Sequence, residues 1–372
     1  MRTVLRSLLK IFLAILLILI LVVGAYVAYV FSTYYRVEDN QELYATKAAN
    51  VESSKKPLQV GEDAKYKVTS WNIGFGAYTD DYSFFMDGGE YSRAISEERL
   101  HENLASITQE LTALKSDFYF IQEVDIDSTR SYGVDERDAI VNTLDADERY
   151  SWTFALNYDS PYLFYPLSLP HGKSKSGMLT FSKTNISSAI RRSLPIEEGL
   201  SKLLDCDRCY AINRIPTDDG KELLLVNIHL SAYTTDGTIA EKQLEMLTAE
   251  LKAEYDAGNY IVCGGDFNKD LLGNSAEIFG VSGEAYNWAQ PIPGEAIPEG
   301  LKIVAPLDKE SPISSCRNAD SPWNKETNFQ VTVDGFIVSD NVKVSSSKVV
   351  NQDFKYSDHQ PVEIVFTLVG SE

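Results

Sequence analysis

A chain of 372 residues with 44% apolar residues has enough core-forming material for one large domain or two ordinary ones, and is too apolar for wholesale disorder. Its 34 basic and 54 acidic residues give a net charge of −20, which argues against nonspecific binding to nucleic acid or to anionic lipid. Four cysteines are too few for a dense disulfide framework.

Residues 11–31 carry no charge over 21 positions, about 31 Å of helix at ~1.5 Å per residue. Arg2, Arg6 and Lys10 precede the run. Residues 1–10 are therefore expected to stay cytoplasmic and everything after the anchor to lie outside the cytoplasm. Tyr26, Tyr29, Tyr34 and Tyr35 suit an interfacial aromatic belt. A cleaved signal peptide is the competing reading, but its apolar core is ordinarily shorter and no A-x-A site follows. Residues 32–62, with Ser53-Ser54-Lys55-Lys56-Pro57, read as a polar tether with at most a short helix near 41–50. Residues 63–370 are left as the folded domain.

Residues 65–72 alternate and predict a first strand. A long Gly-, Asp- and aromatic-rich loop follows over 73–94, of the kind that is often functional. A helix over 96–115 is marked by one apolar face of Leu100, Leu104, Ile107, Leu111 and Leu114, with Ser96 as N-cap. His101 on that helix reads as structural. A strand at 117–123, a helix at 135–144 and a strand at 150–156 come next. Residues 157–176 read as a second long loop, rich in aromatics and holding His171, Lys173 and Lys175. Strands are expected at 177–182, 186–194, 210–216 and 223–229. A helix at 238–256 stops at Gly258. The apolar run 259–263 reads as a buried strand entering Gly264-Gly265-Asp266-Phe267-Asn268, where glycines permit a sharp turn and close approach of a ligand. Last come strands at 331–338, 342–350 and 362–368, with a turn at Tyr356-Ser357-Asp358-His359. Strands outnumber helices, which suits an α/β (α+β) arrangement of two packed sheets with helices outside.

Six polar clusters fall at strand ends: Trp71-Asn72, Gln122-Glu123, Asn227-x-His229, Asp266-x-Asn268, Asp334 and Asp358-His359. Singly, each has a plain reading as a solvated strand end, a satisfied core histidine or a turn residue. Together they are a chemical set. A carboxylate such as Glu123 with an amide such as Asn72 suits Mg²⁺ better than zinc. An Asp beside an Asn can take a proton from water and hold the water in place. Histidines can offer protons or positive charge to phosphoryl oxygens, and a further Asp can fix a tautomer. This set suits metal-assisted hydrolysis of a phosphoester without a Ser or Cys nucleophile. Cys206-Asp-Arg-Cys209 has the spacing of half a zinc site, but no second CxxC or spaced His pair accompanies it, so inert thiols or a local disulfide are the better reading.

In order along the chain, Ser70-Trp71-Asn72, Ile121-Gln122-Glu123-Val124, Ser176-Gly177-Met178-Leu179-Thr180-Phe181-Ser182, Asn227-Ile228-His229-Leu230, Gly265-Asp266-Phe267-Asn268 and Ser357-Asp358-His359-Gln360-Pro361 resemble the motifs of the endonuclease/exonuclease/phosphatase superfamily. That superfamily includes deoxyribonuclease I and the neutral sphingomyelinases. The resemblance covers residues 65–368 and implies a four-layer α-β-β-α sandwich and divalent-metal phosphoester hydrolysis. It implies Glu123 as the main Mg²⁺ (or Mn²⁺) ligand, with Asn72 and Asp358 nearby. Asp266 would position or deprotonate the attacking water and Asn268 would orient it. His229 and His359 would stabilise the transition state, and Asp334 would orient His359. Some members carry an Arg two residues before that Asp; here Thr332 stands there.

The substrate is left open among three readings. The first is an extracytoplasmic phosphodiesterase or phosphatase on a small or lipid-linked phosphoester, favoured by the anchor, the acidity and the aromatic loop. Asn157, Tyr158, Lys173 and Lys175 are its candidate substrate contacts. The second is a surface nuclease, for which Lys173, Lys175 and Arg191-Arg192 could grip phosphates. The third is a non-catalytic binding protein on the same scaffold. No protein partner is indicated.

Overall fold

Side chains alternate along the strands, and this alternation separates the two faces of each sheet. Phe118 and Phe120 enter the central core while Tyr119 and Ile121 face outward; Leu223 and Leu225 do the same against Leu224 and Val226. The computed structural model describes residues 2–48, 55–147, 149–196, 207–232, 237–280 and 288–370.

One sheet has the strand order β1 (Gln41–Glu42), β6 (Ser188–Ser193), β7 (Cys209–Pro216), β8 (Glu222–His229), β9 (Tyr260–Asp266), β13 (Asp334–Ser339) and β10 (Leu301–Val304). The other has β14 (Val342–Val349), β15 (Val362–Leu368), β2 (Tyr66–Asn72), β3 (Phe118–Asp125), β5 (Lys175–Ser182) and β4 (Ser151–Asp159). A short ribbon joins β11 (Cys316–Arg317) to β12 (Gln330–Val331). Both sheets are mixed, because β2–β3 and β8–β9 run parallel while the other pairs are antiparallel. Inward residues of the two sheets, among them Val68, Met178, Val262, Phe336 and Ile364, form one core. Helix α2 (Glu97–Leu114) and helix α3 (Glu136–Leu144) cover the outer face of the second sheet through Leu104, Ile107, Leu111 and Ile140. Helix α4 (Thr238–Asp256) covers the first through Leu247 and Leu251. The result is the four-layer α-β-β-α sandwich; a one-turn helix α5 (Ser275–Phe279) follows β9.

The helix signals act as expected. The Ser96 side chain accepts a hydrogen bond from the Arg99 amide, and Asp135 does the same for Asp138. His101, however, faces solvent 4.0 Å from Glu97 instead of packing inward. Helix α1 (Arg2–Thr33) is long and apolar enough to cross a membrane, and its leucines and isoleucines between positions 5 and 21 are exposed.

Five local expectations change. Residues 41–48 are not helical: Gln41 and Glu42 pair with β6, while Leu43 and Ala48 are buried. Leu58 is also buried, its amide bonded to the Pro216 carbonyl, so the described part of the 32–62 segment lies along a sheet edge. The loop expected over 157–176 is shorter, since β4 runs to Asp159 and β5 begins at Lys175. The strand expected over 331–338 breaks between Val331 and Asp334. Finally, Gly264 and Gly265 lie inside β9. A Cβ on Gly264 would sit 2.4 Å from the Phe336 ring, and one on Gly265 (φ +146) 2.1 Å from the Ile228 carbonyl oxygen. These glycines serve the close packing of neighbouring chain, not a turn.

Candidate active site

Strand register assembles the site. His229 pairs with Asp266, which pairs with Asp334, so three polar residues stand in a row across β8, β9 and β13. From the facing sheet, Asn72 ends β2 and Glu123 lies near the end of β3. The turn before β15 adds Asp358 and His359. Glu123, His229, Asp266, Asn268, Asp358 and His359 line one pocket of about 210 Å³.

Buried polar bonds hold these ends in place. Gln122 Nε2 donates to Asn227 Oδ1 at 2.7 Å across the two sheets. Trp71 Nε1 donates to the His359 carbonyl at 3.0 Å, and Ser357 Oγ to the Asn72 carbonyl at 2.8 Å. Gln122 and Asn227 are thus braces of the sandwich. Glu123 reaches the pocket through a bulge: the β3–β5 register shifts between Ile121 and Val124, and Glu123 takes φ +54.

Asp266 is buried, with one donor on each oxygen, and lines the pocket. Its Oδ1 accepts the Asn268 amide N–H at 2.8 Å and its Oδ2 accepts Asn72 Nδ2 at 3.0 Å. Burial pushes its pKa up to about 6, with the Asp334 charge adding to the rise and His359 opposing it. His359 Nδ1 lies 2.8 Å from Asp334 Oδ2, which also accepts Ser315 Oγ at 2.7 Å. Burial is the largest influence and disfavours the His359 imidazolium, but Asp334, Cys316, Asp266 and Asp358 together outweigh it and the pKa lies well above the ordinary value. His229 sits 3.4 Å from Asp266 and is the opposite case: burial, then the Arg208 and His359 charges, keep it neutral. Asn268 Nδ2 is fixed on the Leu230 carbonyl at 2.9 Å.

Two groups of donors could hold a cation. Atoms of Asp266, Asp334 and His359 all lie within 4.8 Å of one another. That set is already closed by the Ser315 and His359 bonds to Asp334. Glu123 and Asp358 fit a hard divalent ion better. Glu123 is a quarter exposed, and Asn72 Nδ2 is its hydrogen-bond partner among the described residues, at 3.2 Å. Asp358 has Ser357 Oγ at 3.3 Å. Burial raises the Asp358 pKa to about 7, and the Glu123 charge adds to that rise while His359 opposes it. Two under-neutralised carboxylates on one pocket are what a Mg²⁺-type site requires. Asn72 differs from expectation: its oxygen accepts the Gly74 amide at 3.0 Å and its NH₂ clamps Glu123 and Asp266, so it braces carboxylates rather than presenting an oxygen.

Asn157 and Tyr158 both line the pocket, because a bulge between Leu156 and Tyr158 turns the two residues inward in succession. Asn157 Nδ2 is buried without a partner among the described residues. Lys173 and Lys175 lie outside this wall, held by Asp127 at 2.6 Å and Asp159 at 3.3 Å. Lys175 precedes Ser176, which does line the pocket, so the pleat turns the lysine away. Arg191 is buried on carbonyls of Leu156, Glu38 and Asp207, and Arg192 is paired with Glu250, so neither is free to grip a phosphate. Cys209, Cys263 and Cys316 are buried free thiols; Cys206 lies outside the described residues.

Arg130, Arg208 and Arg317 also line the pocket with nothing in their local sequence to mark them, as does His171 from the segment 157–176. Arg130 forks onto Asp125 with two bonds of 2.9 Å and lies over the Phe75 ring. His171 Nδ1 bonds the Ser92 carbonyl at 2.8 Å, so its Nε2 is the acceptor for Ser174 Oγ at 3.2 Å. Burial, and then the Arg130 charge, lower its pKa to about 4. The folded state therefore refuses a proton that the unfolded chain accepts below about pH 6.5. This contribution is complete above that pH and is lost as pH falls toward 4, up to roughly 3 kcal/mol. Urea midpoints should drop more steeply between neutral and acidic pH for the natural chain than for His171→Gln; parallel curves would contradict the assignment.

The sequence model of the Endonuclease/Exonuclease/phosphatase family matches residues 69–359. No curated protein matches the chain. Among solved structures, the chain is similar to an endonuclease/exonuclease/phosphatase from Beutenbergia cavernae, with TM-score 0.55 and 17% identity over 82% of this chain and 72% of that one. It is similar to ANGEL2, a 2',3'-cyclic phosphatase solved with adenosine-2',3'-vanadate, with TM-score 0.54 and 18% identity over 82% of this chain and 96% of that one. The human Nocturnin catalytic domain gives TM-score 0.50 and 17% identity over 82% and 95% of the two chains. At such identities the structural likeness is one of fold.

Proposed function

The chain belongs to the endonuclease/exonuclease/phosphatase family, hydrolases of phosphoester bonds, and from that membership we propose a membrane-anchored, extracytoplasmic, divalent-metal-dependent phosphodiesterase or phosphatase acting on a small or lipid-linked substrate. The observation that carries the reading is one pocket holding a buried Asp266 of raised pKa, a His359–Asp334 pair and two under-neutralised carboxylates.

Asp266 takes a proton from the attacking water, and Asn268, pinned on Leu230, orients that water. The water oxygen bonds to phosphorus as the phosphorus–oxygen bond to the leaving alcohol breaks. The proton Asp266 gains is matched by one that the departing oxygen acquires. His359, charged and held by Asp334, faces the negative charge that gathers on the phosphoryl oxygens. His229 is neutral and contributes hydrogen bonding rather than charge. Glu123 and Asp358 would hold Mg²⁺ or Mn²⁺, which when bound would supply Lewis-acid neutralisation of the phosphoryl group. Asn157 Nδ2 and Tyr158 contact the substrate from the β4 wall.

Helix α1 serves as a single-pass anchor with its basic start in the cytoplasm, residues 32–62 join it to the domain, and residues 63–370 carry catalysis. The full chain should be assayed with Mg²⁺ on choline-phosphate lipids, sugar phosphates, plasmid DNA and RNA. Turnover of a lipid or sugar ester with slow nucleic-acid cleavage is expected. Rapid DNA nicking with inert lipids and sugars would make it a surface nuclease instead, although the arginines and lysines first considered for phosphate binding are engaged elsewhere.

A further inference from the structure

Beside the catalytic pocket lies a second cavity, of about 590 Å³, within the ~300–1,000 Å³ range of small-molecule sites. Its wall is almost wholly apolar: Phe85, Leu163, Phe164, Tyr165 and Leu167 form most of it. Met86, Tyr158 and His171 line both cavities, so the two spaces share a wall. Its rim is unusually apolar for a water-facing surface, with Leu167 86%, Tyr165 71% and Met86 62% exposed. Contiguous apolar exposure of this kind marks an interaction site.

The anchor helix touches the same rim. Tyr26 of α1 lines the cavity, its ring is edge-on to Phe164 with centroids 5.2 Å apart, and its hydroxyl donates to the Tyr162 carbonyl at 3.2 Å. The Tyr162 amide donates to the Tyr29 hydroxyl at 3.3 Å. Tyr26 stands five positions inside the end of the apolar run 11–31, about 7 Å along the helix. A loop that touches this residue must lie at the level where headgroups meet acyl chains.

We propose that the apolar cavity receives the hydrocarbon chain of an amphiphilic phosphoester drawn from the adjoining leaflet, making the substrate class a lipid phosphoester; the proposal rests on the phosphoesterase reading above. The shared wall selects this occupant. A chain in the cavity is covalently tied to a headgroup, and the polar space next door among the described residues is the pocket of Asp266 and His359. A docked protein segment would have no need of a cavity that shares a wall with the pocket of Asp266 and His359. The position of the rim against Tyr26 and Tyr29 lets the chain enter without crossing water.

The test uses the full chain in phosphatidylcholine nanodiscs with methyl, butyl and octyl 4-nitrophenyl phosphodiesters and Mg²⁺ or Mn²⁺. The kcat/KM should rise about tenfold or more from methyl to octyl as methylenes are buried. Leu167→Asp and Phe164→Asp, each on the exposed rim, should return the octyl ester to the methyl value and leave the methyl ester unchanged. Equal kcat/KM along the series, or a chain preference that survives both substitutions, overturns the chain site while leaving phosphoester hydrolysis standing. No turnover of any of these diesters overturns the phosphodiesterase reading and this inference with it.

Discussion

Asp266→Asn should lower kcat on a generic phosphodiester about 10³-fold with little change in KM, the range expected on removal of a positioned general base. The substitution is nearly isosteric, and the buried residue keeps its oxygen for the Asn268 amide. What disappears is the proton acceptor. The Asp266 pKa is raised to about 6, burial being the main cause. A base works in its ionised form, so activity of the natural chain should fall as pH drops below about 6 and stay level above it until His359 loses its proton. The residual activity of Asp266→Asn should lack that acidic limb. Retention of a tenth or more of the natural rate in metal-replete buffer would remove Asp266 from this role.

Glu123→Gln should weaken Mn²⁺ binding, read by the free-ion signal in electron paramagnetic resonance, by at least ~10–100-fold, the scale set by tuning groups around metals. Activity at limiting metal should fall in parallel and recover in part at high metal. Stability gives a second readout. Glu123 raises the Asp358 pKa, so the two carboxylates oppose each other in the metal-free fold. Taking one charge away should leave the metal-free Tm unchanged or higher. A lower Tm with unchanged Mn²⁺ affinity would mean that Glu123 is a structural residue.

The sequence carried the long elements well because their signals are redundant. α4 has an apolar face and a following glycine, and its expected bounds coincide with the observed 238–256. The strand at 362–368 alternates and packs on both faces. The polar clusters at strand ends were also legible, since parallel register brings such ends to one edge of a sheet. Bulges were not legible. Whether Glu123 points into the pocket depends on a register shift against β5, a contact far away in sequence. The same holds for Asn157 and Tyr158, read at first as loop and found on a bulged strand. Asn72 was recognisable as a site residue, but only the positions of Gly74, Glu123 and Asp266 decide which way its amide faces. β10 escaped because it is a four-residue edge strand bracketed by proline- and glycine-rich chain. Gln122 and Asn227 look catalytic beside Glu123 and His229; their pairing across the sandwich shows a bracing contact instead.

In the proposed mechanism water, with Asp266 as base and a divalent ion at Glu123, attacks phosphorus. Hydrolysis of bis(4-nitrophenyl) phosphate by the full chain in ¹⁸O-labelled water, with and without chelator, reads out the point of attack and the need for metal. One ¹⁸O atom is expected in the phosphomonoester product and none in 4-nitrophenol, with arrest of turnover by chelator and rescue by Mg²⁺ or Mn²⁺. Label in the phenol, or full turnover under chelator, would contradict the mechanism.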